Sequence, residues 1–190
     1  MKRIAIFASG SGTNAQNIIE YFQNHHEIDV TLVLSNKKDA YVLERASRFN
    51  VPTRTFTREE FYQSESVLET LRQHKIDFIV LAGFLWLIPT YLLQVYTGRM
   101  INIHPALLPK YGGKGMYGKY VHEAVLANGE KESGISIHFV NEEYDKGDII
   151  FQARCPVENE DTPESLARRI HKLEYEHFPK VIEQVISGIG

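Results

Sequence analysis

The sequence lacks the features that mark secreted, membrane-spanning or nucleic-acid-binding proteins. Its 190 residues include one cysteine, Cys155, so no disulfide can form within the chain and a reducing, cytoplasmic location is expected. The longest apolar stretch, residues 78–88, is shorter than the ~20 residues that a membrane-spanning helix needs. The formal charge of −3 gives no support for a nucleic-acid or membrane surface. We therefore expect a globular protein with no nucleic-acid or membrane partner.

The composition and length of the chain fit one domain with a sizeable core. Hydrophobic residues make up 43% and charged residues 24% of the chain, which is ordinary for a globular protein. At this length we expect a single domain over residues 1–190. None of the eight histidines shows metal-ligand spacing with the cysteine or with a second histidine. We therefore expect no metal site.

Short β-branched and apolar runs alternate with helical patterns over the first hundred residues. The predicted strands cover residues 2–8, 29–34, 52–56, 77–82 and 98–104. The predicted helices cover residues 13–24, 39–49 and 58–74, with a short one from 89, and Thr13 or Asn14 and then Asp39 are expected as caps. This alternation predicts an α/β fold with a mainly parallel central sheet and helices on both of its faces.

The character of the chain changes after Pro109. Residues 110–118 hold four glycines, too many for a regular element. A helix over 119–127 is followed by two strands, 133–140 and 148–157, which we expect to pair antiparallel across a tight acidic turn. Residues 162–164 open a long C-terminal helix with a cap, a proline and an acid.

A glycine-rich turn, residues 9–14, separates the first strand from the first helix. Glycine lets backbone N–H groups approach an anion, and the N-terminus of the helix favours negative charge, so a phosphate monoester is the expected guest. The turn loosely matches a dinucleotide fingerprint, but Ser35 and Asn36 stand where that fingerprint has an acid. The lysine of an ATP-binding loop is also absent. A tight turn that needs glycine for its geometry alone is the alternative.

Asn102 and His104 lie at the end of a predicted strand and are two residues apart, so both project from the same face. Pro105 stops that strand, and ligands of α/β sheets bind where the strands end. Asp145, in the later acidic turn, could join them. An amide, an imidazole and a carboxylate that meet at one sheet end indicate an acyl-type transfer site.

Several alternatives stay open at this point. Asp148 rivals Asp145, and either aspartate could simply bond its own turn backbone. His104 could be a structural histidine, and His138 could point into the site or into the core. His122, near a helix start, is expected on the surface. Cys155 is expected to serve packing and not as a nucleophile.

Four segments together resemble one family. They are residues 9–14, 82–84, 102–109 and 144–147. Over essentially its whole length, the chain resembles the phosphoribosylglycinamide formyltransferase family of folate-dependent enzymes. The resemblance implies a Rossmann-like formyltransferase fold, with about 1–104 as a phosphate-binding half and about 105–190 as a folate and catalytic half. It also implies a place in purine biosynthesis, 10-formyltetrahydrofolate as cosubstrate, no metal, small-molecule substrates and a monomer or homodimer.

The resemblance gives the three polar residues a chemical role that suits them. An amine attacking a formyl carbon makes a tetrahedral intermediate with a developing oxyanion. The Asn102 amide and a protonated His104 could donate hydrogen bonds to that oxygen. Asp145 would favour the imidazolium and could order a water that moves the amine proton.

Position-by-position matching to the family implies two sets of binding residues. Those for phosphoribosylglycinamide are Gly12, Thr13, Asn14 and Glu174. Those for the formyl-folate are Arg58, Leu85, Leu87, Ile88, Asn102, Asn141, Glu142, Glu143, Tyr144 and Asp145. Trp86 departs from the pattern, since an arginine or other polar residue is expected there. The segment 111–120 is longer than usual, and its glycines indicate a mobile lid.

Two other functions compete with this one. A sister enzyme of the family could formylate another amine, such as an amino sugar. A nucleotide-binding module without formyl chemistry is suggested by the glycine turn and opposed by the missing acid after the second strand.

Overall fold

A single seven-stranded sheet forms the centre of the computed structural model, which describes residues 1–188. Its strands are β1 Lys2–Phe7, β2 Ile28–Ser35, β3 Thr53–Thr55, β4 Phe78–Leu81, β5 Met100–His104, β6 Glu132–Phe139 and β7 Ile149–Pro156. They lie in the order β3-β2-β1-β4-β5-β6-β7. Strands β1 to β5 pair in parallel, whereas β5 with β6 and β6 with β7 pair antiparallel. The predicted α/β class and the antiparallel strand pair are confirmed.

Seven helices cover the sheet in the described part of the chain. They are α1 Thr13–Phe22, α2 Tyr41–Arg48, α3 Arg58–Tyr62, α4 Ser66–Gln73, α5 Thr90–Val95, α6 Lys119–Ala127 and α7 Pro163–Gly188. Among residues 1–188, none of these helices is both long and apolar enough to cross a membrane.

Alternate residues of β1 show how the two faces are covered. Ile4 and Ile6 are buried with residues of α1, α2, α6 and α7. Ala5 and Phe7, which point the opposite way, are buried with residues of α3, α4 and α5. The expected helices on both faces are therefore confirmed, and the central strands read as continuous apolar runs because neither of their faces meets water.

One helix predicted over residues 58–74 is in fact two, and this prediction was wrong. Thr57 and Glu60 form a capping box at the start of α3. The Ser64 hydroxyl then donates to the Glu60 carbonyl and accepts from the Ser66 N–H, at 2.9 and 3.3 Å. These side-chain bonds replace the next turn of helical backbone bonds, so the chain bends before α4.

The expected caps of the first two helices are also wrong. Gly12, in a left-handed conformation, caps α1, and Thr13 is already helical. Ala40 and not Asp39 precedes α2, with no side-chain cap. Thr162 does cap α7, since the Ser165 N–H donates to its hydroxyl oxygen at 3.1 Å. The glycine start of α1 leaves the space beside its first N–H groups free of a capping side chain.

A buried serine fixes the segment that leaves β5. Ser136 of β6 donates to the Ala106 carbonyl at 2.7 Å and accepts from the Leu108 N–H at 2.9 Å. Gln152 of β7 donates to the same hydroxyl at 2.8 Å. The sheet edge therefore holds residues 106–108 by polar contacts, and the backbone just after His104 has a defined path.

We predict that Gly147→Ala destabilises the protein by about 1–3 kcal/mol, the usual cost of overpacking. A Cβ at this position would lie 1.6 Å from the carbonyl oxygen of Phe139. Urea unfolding followed by circular dichroism measures the change. Gly188→Ala is the control, because a Cβ there meets nothing within 4 Å; equal stability losses in the two variants would contradict the packing argument.

Candidate active site

A cavity of about 630 Å³ opens at the carboxyl ends of β1, β4 and β5. Its walls are the glycine-rich turn, the segment after β4, the end of β5, the segment 113–118, the β6–β7 turn and one face of α7. A volume of this size suits one or two small molecules and is where an open α/β sheet binds ligands.

Asn102, His104 and Asp145 come together at one end of this cavity. Asn102 and His104 project from β5, and Asp145 reaches them from the turn between β6 and β7. The Asn102 amide nitrogen lies 3.4 Å from Asp145 Oδ1, and His104 Nδ1 lies 3.5 Å from Asp145 Oδ2. The rival Asp148 does not line the cavity; its carbonyl accepts from the Phe139 N–H within the strand pair.

The hydrogen bonds of His104 fix how its ring is used. Nε2 lies 2.7 Å from the carbonyl oxygen of Tyr111, so Nε2 carries a proton. Nδ1 is left facing the Asp145 carboxylate. Burial, the largest influence, lowers the pKa of His104, although the charge of Asp145 and the Tyr111 carbonyl oppose this change. His104 is 3% exposed, so the protonation of its ring depends on these few neighbours.

His138 is a fourth polar member that the sequence left undecided, and the structure places it in the site. Its Nδ1 donates to the Phe139 carbonyl at 2.7 Å, so Nε2 is free to accept from the Asn102 amide at 3.1 Å. Asn102 and His138 are direct partners across the antiparallel β5–β6 pair. Such a pair can be found from sequence only once the register of the two strands is known.

Asp145 is held in place by backbone as well as by side chains. Its φ of 57° is in the left-handed region, which a non-glycine residue adopts at a cost of order 1 kcal/mol. Oδ2 accepts from the Gly113 N–H at 3.0 Å. Burial works against ionisation of this carboxyl, but the contacts with His138, His104 and Gly113 together bring its pKa below the ordinary value. Asp145 is therefore a carboxylate at neutral pH.

The opposite end of the cavity is the glycine-rich turn. Gly12 has a φ of 75°, and a Cβ there would lie 2.4 Å from Val42 Cβ. Ser9, 3% exposed, donates to Asn36 Oδ1 at 2.6 Å and accepts from the Leu85 N–H at 3.0 Å. Asn36, at the position of the missing acid, thus joins the turn to the segment after β4. Because Gly12 supplies no capping side chain, the first N–H groups of α1 are available to an anion.

Glu174 of α7 lies beside this turn. It is 6% exposed, and the Asn14 amide donates to its Oε2 at 2.9 Å. Burial raises the pKa of Glu174 to about 7, although the bond from Asn14 works in the opposite direction. Asn14 Oδ1 is itself buried and has no hydrogen-bond partner within residues 1–188. The two side chains therefore present a polar surface to the cavity that a ligand could complete.

His122 lies in this wall too, and the expectation of a surface position was wrong. It is 3% exposed, at the start of α6, where the apolar residues Val121 and Val125 draw that face of the helix inward. Burial lowers the pKa of His122 to about 4, with smaller contributions from His171 and His104, so the ring is neutral at physiological pH.

Most of the residues matched to the folate side line the third part of the cavity. They are Leu85, Leu87, Ile88, Asn141, Glu143 and Tyr144. Arg58 and Glu142 do not line it. Arg58 instead lies over the rings of Tyr62 and Trp86, with its guanidinium carbon 5.1 and 5.6 Å from their centres. Trp86, which stands where a polar residue is expected, lines the cavity. Arg58 therefore contacts the cavity wall only indirectly, through the ring of Trp86.

The polar groups of the cavity are not arranged as a metal site. Within the described residues, no group of three or more His, Cys, Asp or Glu side chains could hold a metal ion. Cys155 is buried on β7, and burial raises the pKa of its thiol. That environment suits a packing residue and not a nucleophile.

The fold and cavity define an α/β protein with a glycine-rich turn and a histidine–aspartate–asparagine cluster at opposite ends of one site. The family model described as "Formyl transferase" matches residues 2–182, and the chain belongs to this family. The resemblance to formyltransferases inferred from the sequence is therefore confirmed.

Within the family, the chain is similar to proteins named phosphoribosylglycinamide formyltransferase. The chain is 37% identical over 192 residues to phosphoribosylglycinamide formyltransferase of Bacillus subtilis, covering 98% of this chain and 96% of the relative. It is 42% identical over 196 residues to the chloroplastic phosphoribosylglycinamide formyltransferase of Arabidopsis thaliana, covering 98% of this chain and 67% of that one. The crystal structure of phosphoribosylglycinamide formyltransferase from Bacillus halodurans matches with a TM-score of 0.89 and 35% identity, covering 100% and 97% of the two chains.

We predict that Glu174→Gln is more stable than the wild type at pH 8 by about 3 kcal/mol, and by much less at pH 5. The pKa of Glu174 rises on folding from 4.5 to about 7. A carboxyl with a raised folded pKa binds its proton more tightly when folded, so stability falls as pH rises from 4.5 to 7 and then levels off. Urea unfolding of the ligand-free protein at both pH values measures this. Parallel pH dependences in the two proteins would contradict it.

Proposed function

We propose that this protein transfers the formyl group of 10-formyltetrahydrofolate to the amine of 5′-phosphoribosylglycinamide, a step of purine biosynthesis. The observation that carries the proposal is the cavity itself, with Asn102, His104 and Asp145 at one end and an open glycine turn at the other. The names of the relatives support the substrate, and the family supports the folate cosubstrate.

The phosphorylated substrate would bind between the turn and α7. Gly12, Thr13 and Asn14 offer backbone N–H groups at the positive end of the α1 dipole, which suits a phosphate dianion. Asn14 and Glu174 are already joined and carry unused polar capacity, which suits ribose hydroxyls. The glycinamide amine would then extend along the cavity toward His104.

The formyl-folate would bind against the segment after β4 and the β6–β7 turn. Leu85, Leu87 and Ile88 supply apolar surface and backbone groups for a flat ring system, and residues 141–145 supply polar ones. Tyr144 joins these two segments, since its hydroxyl lies 3.4 Å from the Leu85 carbonyl. Trp86, with Arg58 over it, offers an aromatic and cationic edge to the folate tail.

The chemistry would proceed without a covalent enzyme intermediate. The amine attacks the formyl carbon, and the carbonyl oxygen becomes an oxyanion. A His104 imidazolium, favoured by Asp145, would donate to that oxygen through Nδ1, because Nε2 stays on the Tyr111 carbonyl and the 3.5 Å contact of Nδ1 with Asp145 is the one that can be exchanged. One such donor can lower the barrier by ~3 kcal/mol. The C–N bond to the folate then breaks, and the proton lost by the attacking amine passes to the departing nitrogen through a water held by Asp145.

Asn102 would join this step only after a rearrangement. Its amide hydrogens point toward His138 and Asp145 in the ligand-free site. To donate to the oxyanion, the amide must give up one of these contacts. The bond to Asp145, 3.4 Å long, is the weaker of the two and is the one that we expect to be exchanged.

We predict that purified protein given both substrates releases tetrahydrofolate, and that His104→Ala and Asp145→Asn each lower kcat by about 10²–10⁴, the range of general acid–base contributions. The absorbance change of folate measures turnover, and circular dichroism checks folding. If the wild type neither binds nor formylates phosphoribosylglycinamide but does formylate an amino sugar, the proposed substrate is wrong and an amino sugar takes its place. A folded His104→Ala variant with near-normal kcat would remove that residue from the mechanism.

We predict that Gly12→Ala raises KM for phosphoribosylglycinamide by about tenfold or more, since losing even one good phosphate contact costs about 1.4 kcal/mol. The added Cβ would collide with Val42 and force the turn out of its left-handed conformation. KM for the formyl-folate is the internal control and should stay within about twofold. A variant in which both KM values rise together would argue against a phosphate site at this turn.

The remaining expectations fit this activity. Both reactants are small molecules, and the single buried thiol suits a reducing compartment, so we place the reaction in the cytoplasm.

A further inference from the structure

Three consecutive residues, Tyr111 to Gly113, contact both of the groups that we assign to proton chemistry. The Tyr111 carbonyl accepts from His104 Nε2 at 2.7 Å, and the Gly113 N–H donates to Asp145 Oδ2 at 3.0 Å. A Cβ on Gly112 would lie 2.5 Å from Leu108 Cδ2 and 3.2 Å from Asp145 Cβ, so this backbone passes close against both. The segment thus sets the angle at which the imidazole meets the carboxylate.

Tyr111 holds this position against its own backbone preference. Its φ is 57°, a left-handed conformation that a bulky residue adopts only when its surroundings impose it. At the far end of the side chain, the Tyr111 hydroxyl donates to Glu130 Oε1 at 2.8 Å. Lys110 donates to the same oxygen at 3.0 Å. These bonds lower the pKa of Glu130, with that of Lys110 the largest, so its carboxylate is charged and a strong acceptor.

Glu130 and Tyr111 are remote from the substrates. Neither residue lines the large cavity. Both line a second cavity of about 240 Å³, on the other side of the segment that leaves β5. Glu130 follows α6, whereas His104 ends β5, so the contact ties together two elements that otherwise meet through the glycine-rich segment.

We propose that Glu130 and Tyr111 are positioning residues for His104: their hydrogen bond holds the Tyr111 carbonyl on Nε2, which keeps that nitrogen protonated and turns Nδ1 toward Asp145. The inference rests on the proposed function for its consequence in catalysis, but the arrangement of the ring can be measured without it. Tyr111 thereby links Glu130, which its phenol contacts, to the catalytic imidazole, which its carbonyl contacts. We call this Glu130–Tyr111–His104 link the strut.

The direction of the effect follows from the groups around the ring. Asp145, His138 and His122 are the titratable groups that face His104, and the Tyr111 carbonyl is the neutral acceptor. That carbonyl favours the protonated ring. If the hydrogen bond between Tyr111 and Glu130 is removed, the Tyr111 carbonyl moves away from Nε2 and the pKa of His104 falls. The imidazolium is then lost at lower pH. Activity that needs the imidazolium then declines earlier as pH rises.

The test compares Tyr111→Phe and Glu130→Ala with three controls. Tyr21→Phe removes a matched bond, since the Tyr21 hydroxyl donates to Glu183 Oε2 at 2.6 Å on the far surface. Glu130→Gln keeps an acceptor for the phenol and should rescue. The double variant Tyr111→Phe/Glu130→Ala should be no worse than either single one, because both cut the same strut.

We expect both cutting variants to lower kcat about tenfold at pH 8, within the ~100-fold that a misplacement of about 1 Å can cost. KM for each substrate should stay within about twofold, and the basic limb of the kcat profile should move to lower pH. Titration of ¹⁵N-histidine signals by NMR should show the same direction for His104 in the ligand-free protein, with the signal assigned by its loss in His104→Gln.

Two outcomes would overturn the inference. One is a His104 titration and a kcat profile that are unchanged in folded Tyr111→Phe and Glu130→Ala proteins. The other is a loss of kcat that Tyr21→Phe reproduces, which would mean a general loss of stability. If the wild type formylates neither substrate class, the proposed function fails, yet the NMR titration still decides whether the strut sets the state of His104.

Discussion

One largely enclosed carboxylate, that of Asp145, governs the arrangement of this site. Asp145 lies among apolar and polar walls with its side chain 11% exposed, so its charge has to be met by protein groups. The groups that lie against it are the rings of His104 and His138, the Asn102 amide and the Gly113 N–H. They come from three stretches of chain, β5, β6 and the glycine-rich segment, and their convergence on Asp145 explains why these stretches and the β6–β7 turn must fit together. One of these groups, His104, is also the one that we assign to proton chemistry with Asp145.

Backbone geometry decides whether these contacts can form. Antiparallel pairing of β5 with β6 sets His138 opposite Asn102, and a slip of one residue would turn it to the other face. Gly147 lets the β6–β7 turn close against the Phe139 carbonyl, which brings Asp145 inward. The left-handed conformations of Asp145 and Tyr111 are local costs that the surrounding bonds offset. Strain at this site is therefore tied to the positions of the two reactive groups.

Much of the fold could be predicted from the pattern of apolar and polar residues, and the wrong predictions have identifiable causes. The alternation of strands and helices predicted the sheet, because parallel strands buried on both faces must be apolar throughout. The break between α3 and α4 was missed because Ser64 competes for helical bonds only in a particular local geometry. Asn102 and His104 could be proposed because the strand period places both at one sheet end, whereas the choice of Asp145 over Asp148 depended on the resemblance to the family. His138 and His122 could not, since strand register and the packing of one helix face decide where they point.

The carboxyl groups at the two ends of the cavity differ in pKa, and this difference suits the reactants that we propose. Two carboxyls of the cavity have their pKa values moved in opposite directions: that of Asp145 is lowered by its histidine and backbone partners, and that of Glu174 is raised to about 7 by burial. At the histidine end a fixed negative charge favours an imidazolium next to the developing oxyanion. At the glycine turn, a carboxyl that accepts a proton near neutral pH adds little repulsion to a phosphate dianion, whose own charge would raise that pKa further. A single apolar cavity can in this way hold a dianion at one end and stabilise a transient oxyanion at the other.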